Sequence, residues 1–305
     1  METIPSRWKY SETGLRLIHP KLTDLKPLPY SQEEQLKQAR LRSDKMSIQG
    51  VQPKLSAVLK LKDQSLALVD TGGKFILKPN PPLYEEVPAN EALTMCMAAH
   101  AGIDVPAHGL LRAIDGSWVY FIKRFDRVGR SGRVHVEDFS QLTGSSRETK
   151  YSSSLEQVAL VVDQFCTFPA IERPKLAKRL LFCFLTGNED MHLKNFSIWH
   201  KEGVTSLTPA YDFLNTTLVL GAVNEETALP LKGKKKSLNR KLWIDYYCHD
   251  RLGLSRDQVD RILADLSAAI NEWKDMIDRS YLSSRAKQDY LEILLKRSAV
   301  LGLSQ

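Results

Sequence analysis

The segment LTGNEDMHLKNFSIWH, Leu185 to His200, concentrates the polar chemistry of this chain. A strongly apolar run ends at Gly187-Asn188, a polar cluster follows, and a strand-like FSIWH closes it. Within the cluster Asp190 and Asn195 stand five positions apart. That is the D-x-x-x-x-N spacing of a phosphoryl-transfer loop, in which the carboxylate orients or deprotonates the attacking hydroxyl and the amide oxygen ligates magnesium. His192 and Lys194 flank the pair, suited to contact phosphate or to brace the loop. Downstream, LTPAYDFLN places Asp212 after a short apolar run, as a second carboxylate to close a magnesium site. One carboxylate and one amide are adequate, because magnesium fills its remaining positions with phosphate oxygens and water.

Upstream, Lys78 ends the strand-like FILK, resembling the lysine of the V-A-I-K strand in protein kinases, and Glu91 lies in the following helix, suited to hold that lysine. SIQGVQPKLSAVLKLK, Ser47 to Lys62, sets Gly50 in a short polar loop ahead of an alternating strand, where a glycine lets backbone approach a phosphate. Each residue also has a purely structural reading: Asp190 as a helix-terminal cap, Asn195 and Asp212 as turn formers, Lys78 as a solvated strand end, Glu91 as a surface charge. Their chain order is the stronger signal. A glycine loop, a strand lysine, a helical glutamate, an inter-lobe strand, D-x-x-x-x-N and then Asp is the sequence of parts that nucleotide-dependent phosphoryl transfer requires.

These residues need elements to hold them. Residues 1 to 46 read as a polar preamble with one helix, opened by a capping box of Ser31 and Glu34. From Leu55, LSAVLKLK, SLALVD, the Gly72-Gly73 turn and KFILKP predict a small antiparallel sheet. EVPANEALTMCMAAHAG predicts a helix stopping at Gly102, and WVYFIKRF, Trp118 to Phe125, another strand. The Ser, Gly and Arg-rich stretch from Asp126 to Ser154 reads as a mobile loop or subdomain connection. Beyond it, LEQVALVVDQFC, RPKLAKRLLFCFLTGN and the last 50 residues carry apolar side chains at helical spacing. The expected fold class is α+β in two unequal lobes. A small β-rich lobe over 1–125 holds the preamble, glycine loop and hinge, and a larger, mainly helical lobe over 126–305 holds the catalytic loop and metal site.

With 305 residues, 43% of them hydrophobic, the chain can bury a sizeable core. No apolar run approaches a membrane span and METIPSRWKYSETG has no signal-peptide region, so a cytoplasmic location without a membrane partner is expected. The four cysteines are scattered, with no C-x-x-C pair, and read as reduced, mostly buried small hydrophobes. A net charge of +7 suits a phosphorylated ligand or a nucleic acid but fixes no reaction. The run KGKKKSLNRK, Lys232 to Lys241, reads as a solvated basic turn, since no interleaved aromatics supply a stacking surface. His100, His108, His135, His200 and His249 have no partner at ligand spacing and read as structural.

SIQGVQPKLS, FILKP, NEDMHLKNFS and LTPAYDF, with FIKRFDR and VEDFSQLTG, together resemble the HipA-like serine/threonine kinase toxins of bacterial toxin–antitoxin systems. The resemblance runs from about Tyr10 to the end of the chain. It implies a two-lobed, protein-kinase-like fold and an ATP- and Mg2+-dependent protein kinase. By similarity Asp190 is the catalytic base, Asn195 and Asp212 the metal ligands, and Lys78 the α-phosphate contact. Gln49, Gly50, Val51, Gln52, Pro53 and Lys54 make the nucleotide loop, Lys123, Arg124 and Phe125 the adenine hinge, and His192 and Tyr211 line the nucleotide pocket. Members autophosphorylate a serine at the start of the glycine loop, matched here by Ser47, which pulls the loop from the ATP site. Some split-type members carry a second serine two positions on, where this chain has Gln49.

Full-length HipA proteins carry a further subdomain before this loop. The chain is thus expected to be of the split, HipT type, with a small antitoxin resembling that subdomain and a DNA-binding antitoxin, touching DNA only indirectly. Family targets are aminoacyl-tRNA synthetases, whose phosphorylation arrests translation and growth. The alternatives are a small-molecule or lipid kinase, which uses the same residues, and an inactive, kinase-shaped DNA-associated binding subunit.

Overall fold

A computed structural model of the chain describes residues 10–42, 52–129, 132–144, 151–221 and 225–303. The chain divides into two compact units, Met1–Ala92 with Pro106–Gly132, and Leu93–Val105 with Arg133–Gln305.

The first unit is built on five antiparallel strands, β1 (Leu55–Lys60), β2 (Ser65–Leu68), β3 (Phe75–Pro79), β4 (His108–Arg112) and β5 (Trp118–Lys123), in the order β2-β1-β3-β5-β4. The alternation read in LSAVLK is the burial pattern of β1, with Leu55 and Ala57 turned inward. Register sets Lys78 opposite Tyr120. Two helices precede the sheet, α1 (Glu12–Ile18) and α2 (Gln32–Arg42). The expected capping box opens α2: Glu34 N donates to Ser31 Oγ at 3.2 Å and Ser31 N to Glu34 Oε2 at 2.7 Å. The segment read as preamble also supplies core. Leu15, Ile18, Leu22, Leu25 and Leu28 are buried with Leu55, Phe75, Leu77, Leu111 and Val119. Only part of that row is helical, so its apolar spacing does not follow one element's period.

Helix α3 (Val87–His100) runs across the division between Ala92 and Leu93. Gly102 follows it at φ +74°, the left-handed stop expected there. The second unit holds a three-stranded antiparallel sheet of β6 (His135–Asp138), β7 (Ser197–Lys201) and β8 (Val204–Leu207), in the order β8-β7-β6. Its helices are α4 (Phe139–Leu142), α5 (Leu155–Phe165), α6 (Pro169–Leu185), α7 (Thr216–Leu220), a π-type helix Lys241–Arg251, α8 (Arg256–Asp278) and α9 (Ser284–Leu301). β6 and α4 fall inside the polar stretch expected to be a loop. Four residues of alternation are too few to announce a strand, and Asp138 then caps α4 in a reciprocal pair with Gln141. Aromatics fill this core: Phe182 packs edge-on to Trp273 at 5.4 Å and against Phe213 at 5.3 Å. Trp273 Nε1 donates to the Met97 carbonyl of α3 at 3.0 Å. Among the described residues no helix is long and apolar enough to cross a membrane.

Leu77 is fully buried in the first unit, whereas Leu83 is 71% exposed. Leu77→Ala is expected to lower the unfolding free energy by about 2–5 kcal/mol in urea titrations. Leu83→Ala should stay within about 0.5 kcal/mol of the parent.

Candidate active-site residues

In the second unit α6 ends at Leu185 and the chain turns through Gly187 at φ +67°. A Cβ there would meet Asn215 Oδ1 at 2.8 Å and Thr217 Oγ1 at 2.9 Å, so only glycine suits the turn. The loop that follows is held by its own polar groups. Asp190 N donates to Asn188 Oδ1 at 3.1 Å, His192 N to the Asp190 carbonyl at 2.9 Å, and Asn195 Nδ2 to that carbonyl at 2.8 Å. Leu193–Asn195 forms a short 3-10 turn, and β7 begins two residues later.

This wrapping leaves the Asp190 carboxylate half exposed. Tyr151 Oη donates to Asp190 Oδ1 at 2.6 Å, and His192 Nε2 lies 3.9 Å from the same oxygen. The Tyr151 ring meets His192 edge-on at 5.0 Å. Burial, and then the bond to Asp190, push the Tyr151 hydroxyl well above its ordinary pKa, so it remains a donor. Tyr211 braces the turn from below: its Oη donates to the Lys194 carbonyl at 3.0 Å and is bonded to Ser197 Oγ. Asp212 adopts φ +56°, a left-handed conformation that Asp tolerates better than most residues and that recurs at functional sites.

Three residues the sequence reading did not single out anchor the loop from outside. Thr216 Oγ1 accepts from Glu189 N at 2.7 Å and donates to the Gly187 carbonyl at 3.2 Å. Thr217 Oγ1 lies 2.8 Å from Glu189 Oε1 and 3.0 Å from the Gly187 carbonyl. Arg297, from α9, donates to Glu189 Oε1 at 3.2 Å and pairs with Glu226 at 3.1 Å, its guanidinium lying 4.7 Å from the centre of the Phe184 ring. Burial pushes the Glu189 carboxyl up, against the pull of Thr217 and Arg297. An N-cap signal, Asn215 before two threonines, was the local trace of the first two. Nothing local marks Arg297 or Tyr151.

In the first unit Lys78 Nζ is paired with Glu91 Oε1, both side chains almost fully buried. Lys78 Nζ also sits 5.5 Å from the centre of the Tyr120 ring, and Gln52 Nε2 donates to Glu91 Oε2 at 3.4 Å. The expected lysine–glutamate contact is thus present, from strand β3 to helix α3. Of the expected nucleotide loop, Gln52, Pro53 and Lys54 lead into β1, whereas Ser47, Gln49, Gly50 and Val51 lie outside the described residues. In the expected hinge, Lys123 Nζ donates to the Ile18 carbonyl at 2.9 Å, and Arg124 grips Asp126 with two bonds of 2.9 and 2.7 Å. Phe125 follows directly, outside β5.

Asn195 and Asp212 are of the right kind for magnesium. The Asn195 amide nitrogen is committed to the Asp190 carbonyl, which leaves its oxygen as the atom to offer a cation, and both residues present hard oxygen donors. Each could offer an oxygen to a cation.

The sequence matches the HipA-like C-terminal domain over residues 46–273, and the chain belongs to that family. It is 29% identical over 326 residues to a Haemophilus influenzae protein named provisionally as a kinase, covering 96% of this chain and 93% of the relative. A Sinorhizobium fredii protein, Y4dM, also named provisionally as a kinase, is 35% identical over 218 residues, covering 67% of this chain and 52% of the relative. HipA of Shewanella oneidensis, solved with HipB and its operator DNA, superposes with a TM-score of 0.72 at 21% identity, over 90% of this chain and 72% of that one. The Helicobacter pylori proinflammatory kinase CtkA superposes with a TM-score of 0.55 at 15% identity, over 75% of this chain and 88% of that one. The fold is the two-lobed, kinase-like one expected from the sequence.

Removing the guanidinium of Arg297 leaves Glu189 and Glu226 without their buried counter-charge. Arg297→Met is expected to lower the unfolding free energy by about 3–5 kcal/mol in chemical denaturation. Arg297→Lys should recover only part, because one ammonium cannot reproduce the two-armed contact.

Proposed function

We propose that the chain is an ATP- and Mg2+-dependent serine/threonine protein kinase of the HipA toxin type. The observation that carries this reading is the loop around Asp190, whose Oδ1 receives a hydroxyl from Tyr151 at 2.6 Å while the Asn195 amide is anchored to the Asp190 carbonyl. A substrate serine replacing the Tyr151 hydroxyl would have its proton within reach of a general base. Asp190 would take that proton as the serine oxygen bonds to the γ-phosphorus and the bond to the departing ADP breaks. Asn195 and Asp212 would hold magnesium through oxygen, and Lys78, paired with Glu91, would hold the α-phosphate. Bound magnesium and ATP supply the electrophilic phosphorus and neutralise charge on the phosphate oxygens.

Family membership supports the finer assignments: Gln49 to Lys54 as the nucleotide loop, Lys123 to Phe125 as the adenine hinge, His192 and Tyr211 as pocket lining. It also supports autophosphorylation at Ser47. A phosphate there adds roughly 1.5 to 2 negative charges beside a loop that serves a triphosphate, which opposes ATP binding. The target class is an aminoacyl-tRNA synthetase in the cytoplasm, with growth arrest as the outcome. The Shewanella HipA was solved with HipB and operator DNA. A DNA-binding antitoxin is the corresponding partner here, beside a small antitoxin of the split, HipT-type systems, so contact with DNA is indirect.

In a lysate supplied with γ-labelled ATP, the chain is expected to label a protein band and itself. Asp190→Asn should slow both by about 10²–10⁴-fold, and Ser47→Ala should remove the self-label alone. Label confined to small molecules would instead make this a small-molecule or lipid kinase. Growth arrest undiminished by Asp190→Asn would leave a kinase-shaped binding subunit.

A further inference from the structure

Strand pairing in the second unit gathers three side chains that the phosphoryl-transfer chemistry does not use. His135 of β6 lies directly opposite His200 of β7, and Thr205 of β8 lies opposite His200 on its other side. Glu137, two residues on from His135, shares their face of the sheet. The sequence gives His135 and His200 no partner at ligand spacing, but register brings their rings to 5.3 Å, nearly parallel. Glu137 Oε2 lies 3.2 Å from His135 Nε2 and 3.3 Å from His200 Nε2, and the three ligand atoms fall within 4.8 Å of one another.

We propose that His135, Glu137 and His200 form a binding site for a zinc-class divalent cation. Zinc bonds of about 2.0–2.1 Å to nitrogen and 2.0–2.2 Å to oxygen set ligand–ligand edges of roughly 3.3–3.5 Å in a tetrahedron. The two imidazole–carboxylate separations lie within about 0.1 Å of that edge, and both exceed the roughly 2.7–2.9 Å of a charge-assisted hydrogen bond. Thr205 Oγ1 sits 2.8 Å from His200 Nδ1, the ring nitrogen turned away from the cluster. With Nε2 on a metal, Nδ1 carries the proton and donates to that hydroxyl, the outer-shell bond that fixes a ligand imidazole. Thr205 is itself anchored, its N donating to Thr167 Oγ1 and its carbonyl accepting from Thr167 N, each at 2.8 Å.

Two imidazoles and one carboxylate favour zinc over magnesium, whereas Asn195 and Asp212 offer only oxygen. The three side chains are 68%, 34% and 43% exposed, which gives a cation entry and leaves the fourth position to water. The ion would clasp β6 to β7, the strand that leaves the Asp190–Asn195 loop.

The test uses tag-free, metal-stripped full chain, titrated with zinc against a chromophoric chelator and with cobalt by visible absorption. One equivalent of zinc is expected to bind at micromolar concentration, and cobalt to give the intense bands of a tetrahedral nitrogen–oxygen site. His135→Ala and His200→Ala should each abolish both signals while circular dichroism stays unchanged. Thr205→Val should weaken zinc about 10–100-fold. Asp212→Asn should leave zinc binding as it was. Failure of the parent chain to bind one equivalent, or equal binding by the His135→Ala/His200→Ala double variant, would overturn the site.

Discussion

A charge taken out of water must bring its counter-charge with it, and the proposed site residues of this chain lie beside pairs that meet that requirement. An unpaired buried ion costs several kcal/mol, more than most single packing contacts return. Lys78 and Glu91 are both buried, so strand β3 and the first turns of α3 have essentially one productive relation, the one that closes their pair. The second unit repeats the device with Arg297 between Glu189 and Glu226. Arg179, also buried, spends a donor on the Thr208 carbonyl at 2.6 Å, just ahead of Tyr211 and Asp212. Lys78 is itself one of the residues proposed for phosphoryl transfer, and Glu189, the partner of Arg297, immediately precedes Asp190 in the chain.

What the sequence revealed was what is local. Asp190 and Asn195 are five positions apart on one loop, and the polar groups between them close that loop upon itself, so their spacing carried the geometry. The strands β1 and β3 and the helices α5, α6, α8 and α9 were visible for the same reason, a repeated apolar period within one element. Apart from the Lys78–Glu91 pair, what depends on distant chain segments meeting was hidden. Arg297, Thr216 and Thr217 reach the loop from other elements, and Tyr151 reaches Asp190 from a serine-rich stretch without periodicity. The leucines from Leu15 to Leu28 serve the core from largely irregular backbone, and the His135–His200 pairing exists only once two strands are in register.

Rigidity in the second unit is distributed unevenly around the Asp190 loop. Its backbone is held at Gly187, Glu189, Asp190 and Lys194, whereas the Asp190 carboxylate projects half exposed and accepts from the Tyr151 hydroxyl. A fixed frame with a replaceable hydroxyl suits the role proposed for Asp190: the carboxylate would keep its position while its partner changes. The left-handed Asp212 fits the same pattern, a small polar residue occupying a backbone conformation that branched side chains resist.

Arg297 also imposes an order in time. It is 108 positions later in the chain than Glu189, the residue it steadies. At synthesis rates of about 5–20 residues per second, the ribosome needs roughly 5–20 s to travel from one to the other. During that interval the nascent polypeptide already contains Asp190 and Asn195, yet the guanidinium that neutralises the adjoining buried carboxylate has not been made. The loop is written early and fastened late, and its full set of supports exists only once α9 has been made.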